Sequence, residues 1–79
     1  MRMNNYLRKK YTDICRKYRF NLKLEGEDKA RLADQFYAQK QLMECIFPYN
    51  AEELQALKEK AFEQADKDFK YYNTFNGWL

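Results

Sequence analysis

The chain has 79 residues, 46% hydrophobic and 18% aromatic, and a formal net charge of +3. That length makes one domain, residues 1–79, with a limited core. With no Ser and no His it lacks the parts of Ser-His-Asp and Cys-His catalytic systems, and with two Gly, one Pro and no Val it is poor material for a many-stranded fold.

Charge is unevenly spread. Residues 1–23 hold eight Lys or Arg against the single acid Asp13, a local excess of +7. Residues 24–79 hold seven basic and eleven acidic side chains, a balance of −4. A basic first segment on a mildly acidic body points to an anionic partner.

The first segment reads as a basic amphipathic helix near 3–19. Met3, Leu7, Tyr11, Ile14, Cys15 and Tyr18 share an arc of about 120°, the width of a core-facing stripe. Lys9, Arg16 and Arg19 fall opposite, with Arg8 and Lys17 on the flanks. Phe20 would land on the charged face, which predicts a helix end near Arg19. Phe20, Leu22 and Leu24 alternate with polar residues, and that period of two predicts an extended connector over 20–25. A small sheet through this stretch is the alternative fold.

The second helix is expected near 27–47. Glu27 and Asp28 suit its positive N-terminal end, and Leu32, Phe36, Met43 and Phe47 form its inner stripe, flanked by Ala33 and Ile46. The last turn, LMECIF, is apolar on nearly every side, so it is either deeply covered or turned to a partner. Pro48 stops the helix by disfavouring helical geometry at the preceding residue.

The third helix is expected near 51–72. Asn50 and Glu53 have the spacing of a capping-box variant. Leu54, Leu57, Ala61, Ala65, Phe69 and Tyr72 form its inner face, and Glu63–Lys67 and Asp66–Lys70 are favourable pairs one turn apart. The FPYN loop is short, so helices two and three should form an antiparallel hairpin. The predicted fold class is therefore all-α, a three-helix arrangement. An aromatic tail, residues 73–79, follows. Phe75, Trp78 and Leu79 read as a lid on the core, with Phe75 and Trp78 as the alternative partner hook.

No residue constellation carries catalysis. Glycine-rich phosphate loops are absent, and Asp68, near the apolar stripe, reads as a helix-edge salt-bridge partner. Cys15 and Cys45 lie thirty positions apart with no His to complete a zinc site, so both are expected to be reduced, buried and metal-free. No cofactor is expected. The charged N-terminus and the lack of an apolar run of about 20 residues predict a cytoplasmic protein without a membrane partner.

The basic face of the first helix is the most specific positive feature. Arg8, Lys9, Arg16, Lys17 and Arg19 are the candidate contacts to a macromolecule with an acidic surface, protein favoured over nucleic acid. In size and style the chain looks like small accessory proteins of phages and mobile elements, many of which inhibit host or defence machinery by binding alone. That likeness implies a non-enzymatic inhibitor acting on an anionic or nucleic-acid-binding surface. The alternatives are a nucleic-acid-binding accessory protein and a self-assembling helical bundle, in which LMECIF or the tail makes a homodimer interface.

Overall fold

Three helices in sequence order make the fold of the computed structural model, which describes residues 3–76 and their side chains through Thr74. They are α1 (Asn5–Leu22), α2 (Glu27–Ile46) and α3 (Ala51–Asn76). A single 3-10 turn, Pro48–Asn50, joins the last two. No strand occurs among the described residues, so the all-α reading holds and the sheet alternative does not. None of these helices is long and apolar enough to cross a membrane.

Asn4 starts α1. Its backbone is extended and its side-chain oxygen accepts from the Leu7 N–H at 2.9 Å, satisfying one of the donors a helix start leaves open. The helix runs three residues past the predicted stop. Phe20 is half-buried there against α3, edge-on to Phe69 at 6.3 Å and to Tyr72 at 5.7 Å. These neighbours give its ring an apolar surface, so the charged face does not end the helix. The predicted extended connector shrinks to residues 23–26. Gly26 closes it at φ 115°, a left-handed value that L residues rarely adopt.

Along α2 the inner line keeps Phe36, Met43 and Phe47 of the predicted stripe and departs from it at Leu32 and Lys40. Ala33, Lys40 and Met43 are buried, with Phe47 just beyond the helix end and Phe36 half-buried between them. Leu32 sits at the edge, 36% exposed. The line passes through Lys40 because its ammonium is satisfied inside: it pairs with Glu44 at 2.8 Å and lies 5.2 Å above the Tyr37 ring. A lysine at an inner position hides the true stripe from a hydrophobicity pattern.

At the turn, Phe47 N–H donates to Met43 C=O and Asn50 N–H to Phe47 C=O, both at 3.1 Å. The Asn50 amide donates to the Glu53 carboxylate at 3.2 Å, a side-chain link at the predicted capping spacing. Beyond it α3 runs for 26 residues, about 39 Å at the helical rise. Leu54, Ala61 and Ala65 are buried, while Leu57, Phe62 and Phe69 are half-buried. The two alanines have almost no exposed surface.

α1 lies between α2 and α3 and packs on both, while α2 and α3 scarcely touch, so the predicted hairpin keeps its antiparallel directions but not its packing. Tyr11 reaches Glu44 and Tyr18 reaches Tyr37, so α1 is antiparallel to α2. Arg8 reaches Glu53 and Arg16 reaches Asp68, so it is parallel to α3. The Cα envelope is elongated, 47 × 22 × 17 Å. The core joins Met3, Tyr11, Ile14 and Cys15 to Met43, Phe47, Leu54 and Ala61.

Candidate partner-binding surface

The cations of α1 fall into two groups, because α3 covers one flank of the helix and leaves the outer face open. On the covered flank, Arg8 pairs with Glu53 through its Nε. Arg16 grips Asp68 with two parallel hydrogen bonds, Nε to Oδ2 at 2.6 Å and Nη2 to Oδ1 at 2.9 Å. Arg19 Nε donates to Asp66 Oδ1 at 3.1 Å, and Lys23 Nζ reaches the same oxygen at 2.5 Å. Arg19 and Lys23 also lie over aromatic rings of α3, 5.5 Å from Phe62 and 5.4 Å from Phe69.

These contacts leave their mark on the titrating groups. Hydrogen bonds from Lys23 and then Arg19 hold the Asp66 carboxyl below its ordinary value. The hydrogen bond from Arg16 does the same to Asp68, and the return effect raises the Arg16 guanidinium. Asp68 is thus the salt-bridge partner its place beside the stripe implies. Asp66 pairs across to α1 rather than with Lys70, while Glu63 and Lys67 make their predicted pair at 3.7 Å.

The expected single outward face of Lys9, Arg16 and Arg19 is therefore divided. Helical spacing places those three on one side, but it does not say where the next helix lies. Arg16 and Arg19, with Arg8, sit at the α1–α3 seam. Lys9 and Lys10 are exposed and make no ion pair among the described residues. Lys17 is exposed too and pairs only with Asp13, one turn away on its own helix, at 3.1 Å.

Two hollows lie along this outer face and meet at Asp13. One, about 420 Å³, is lined by Tyr6, Lys9, Lys10 and Asp13. The other, about 550 Å³, has Phe20, Tyr71 and Tyr72 as its apolar floor, rimmed by Asp13, Lys17 and the Arg16–Asp68 pair. Tyr6 is 69% exposed and Tyr71 is 75% exposed. Tyr6 has the Lys10 ammonium 5.9 Å from its centroid. Aromatic and basic side chains are separate in the sequence but adjacent in space, because α3 is long enough to bring Tyr71 and Tyr72 beside the end of α1. The sequence signal for this was the continued spacing of Phe69 and Tyr72. Phe75 and Trp78, the possible hook, lie outside the described side chains.

The interior holds a polar cluster that the sequence did not reveal. Tyr11 is 1% exposed and its hydroxyl donates to Glu44 Oε2 at 2.7 Å. Burial, then the bond to Glu44, pushes the Tyr11 hydroxyl well above its ordinary value. Burial pushes Glu44 up, but hydrogen bonds from Lys40 and Tyr11 outweigh it and leave the carboxyl lowered. Cys15 beneath them is fully buried, and burial pushes its thiol up to about 11. Cys45 departs from expectation: it is exposed, on the outer side of α2, because the inner line there runs through Met43 and Phe47. Both cysteines are free thiols. No group of three or more potential metal ligands occurs among the described residues.

Charge and exposed rings on one face are suited to binding. Comparison of the chain with protein-family models, with curated protein sequences and with solved structures gave no match.

Proposed function

We propose that this chain is a non-catalytic binding protein whose outer α1 face docks on an acidic surface of a partner protein. One observation carries the reading: Lys9, Lys10 and Lys17 face outward without a carboxylate from α3, whereas Arg8 and Arg16 each pair with one and Arg19 and Lys23 share a third. Exposed like charges kept on one rigid face repel slightly. An anionic surface turns that repulsion into attraction and speeds encounter. The hollow over Phe20, Tyr71 and Tyr72 then accepts an apolar side chain of the partner, as tyrosine-lined pockets do at interface centres.

A protein suits this face better than a nucleic acid. Asp13 interrupts the row of lysines and Asp68 stands at the rim of the second hollow. A phosphate backbone laid along the row would meet both carboxylates, whereas a folded partner can present a mixed pattern. Occupying an acidic surface excludes its other users. Inhibition by occlusion is the mode of action we assign, in keeping with the phage and mobile-element accessory proteins that the chain resembles in size and style.

The test is Lys9→Glu, Lys10→Glu and Lys17→Glu together. All three positions are exposed, so circular dichroism should show the helices unchanged. Partners captured from the native host by the unaltered chain should bind the triple variant at least about tenfold more weakly, a loss of about 1.4 kcal/mol. Unchanged binding would overturn the reading. Binding to duplex or single-stranded oligonucleotides that weakens steeply with salt would replace the protein partner with a nucleic acid.

A further inference from the structure

The side of α2 turned away from α1 has a pattern of its own. Residues 31, 35, 38, 42 and 45 follow one another in steps of four and three, the spacing of a seam between two helices. The first part of that line is polar, with Arg31 and Gln35. The second part is apolar and uncovered: Leu42 is 61% exposed, Ile46 beside it 44%, and Tyr49 in the following turn 99%. Ala38 and Cys45 are exposed between them. This is the predicted apolar turn LMECIF, of whose apolar residues Met43 and Phe47 are buried, with Glu44 turned inward to Tyr11 and Lys40.

We propose that a second copy of this chain covers the outer face of α2. A twofold dimer sets a patch against a copy of itself, so a face with charge of one sign repels its mate and a neutral face does not. Between Gln35 and Ile46 the only charged side chains are Lys40 and Glu44, and those two are bound to each other on the inner side. The face left outside is neutral, with amides of Gln35, Gln39 and Gln41 at its edges. The outer face of α1, with three exposed lysines, would repel a copy of itself.

Area sets the strength. A fully exposed tyrosine alone offers about 150–250 Å², and with Leu42 and Ile46 the patch is on the order of 400 Å², the size at which exposed apolar surface marks an interaction site. A standard interface takes about 800 Å² from each partner, so the amide edge has to supply the rest and the dimer is weak. Antiparallel pairing suits it best, because it opposes the helix dipoles and keeps Arg31 away from the partner's Arg31. Centred on Leu42, it sets Ala38 against the partner's Ile46. Cys45 then stands about 9 Å along the axis from the partner's Cys45, too far for a direct disulfide and within reach of a short bismaleimide.

The test is sedimentation of the full chain, under reductant, from micromolar to millimolar concentration. The mass should rise from monomer towards dimer. Leu42→Glu should keep it monomeric with unchanged circular dichroism. A bismaleimide should link Cys45 to Cys45 in the unaltered chain and not in Leu42→Glu. A monomer at every concentration would overturn the proposal, as would a dimer that Leu42→Glu leaves intact. Ready formation of a Cys45 disulfide on oxidation would overturn the antiparallel arrangement.

Discussion

α1 carries two rows of cations with opposite fates. The row facing α3 is Arg8, Arg16, Arg19 and Lys23, and each member ends on a carboxylate of α3. The outer row is Lys9, Lys10 and Lys17, with Asp13 as its only acid. The seam row holds three arginines and the outer row none. A guanidinium offers a planar fork that can meet a carboxylate through two hydrogen bonds, while an ammonium is a hydrated point charge on a loose stem. The first suits a fixed internal contact, the second a surface that adapts to what it meets. The comparison teaches that the basic excess of the first segment does two jobs. Part of it orients α1 against α3, and only the remainder is available to a partner.

The largest effect should come from reversing the seam. Asp66→Lys with Asp68→Lys removes the partners of Arg16, Arg19 and Lys23 and sets two new cations among them. The melting temperature should fall by at least several degrees, and helical signal should be lost with it. Reversing Lys9 and Lys10 should change the melting temperature little, since surface substitutions of that kind stay within about 0.5 kcal/mol. Equal losses from both changes would erase the distinction between the rows.

A smaller effect measures one pair. Arg16 and Asp68 have partly exposed side chains, 44% and 30%, so solvent limits their worth. Two parallel bonds place the pair near the top of the range for exposed ion pairs, about 1 kcal/mol in a double-mutant cycle with Arg16→Gln and Asp68→Asn. The same contact sets a pH dependence. Asp66 and Asp68 are ordinarily half-protonated near 3.8, and both are held lower in the folded chain. The unfolded chain therefore binds their protons first as pH falls. Stability from these groups is complete above that value and is lost as pH drops through their folded values. Asp66→Asn with Asp68→Asn should flatten the acid limb of a stability–pH profile. An unaltered limb would assign acid sensitivity to Glu44 and the other carboxylates.

Much of this fold was legible in the sequence because its inner residues are apolar and evenly spaced. Tyr11, Ile14, Leu54, Ala61 and Ala65 are buried where the period of 3.6 puts them. Three features escaped that pattern. Lys40 is buried through its bond to Glu44, and a scale that scores lysine as polar steers the stripe of α2 towards Leu32. Phe20 lies on the charged side of α1 and is covered by Phe69 and Tyr72, because α3 packs along that side of the helix. The fate of the cations escaped for a further reason. A helical wheel gives the angle of each side chain about its own axis, but the position of α3 around that axis depends on packing. Asp68 was recognisable as a salt-bridge partner, but its mate was not, because Arg16 lies 52 positions away.

The smallest effect expected is also the one that most sharpens the comparison. Lys17 and Asp13 pair at 3.1 Å within the outer row, with both side chains more than half exposed. The acid precedes the base by four positions, the better order along a helix, and such pairs contribute about 0.3–0.5 kcal/mol. A cycle of Asp13→Asn and Lys17→Gln should give that coupling or less, and it should vanish in high salt, where exposed charges are screened. The Arg16–Asp68 coupling should persist further into salt because its two bonds are directional. For partner binding the ordering reverses. Asp13→Asn releases Lys17 and removes the acid at the junction of the two hollows, so it should tighten association with an acidic protein while leaving stability nearly unchanged. Weaker association would mean that Asp13 itself contacts the partner, and the outer row would then be a surface of mixed sign rather than a basic one.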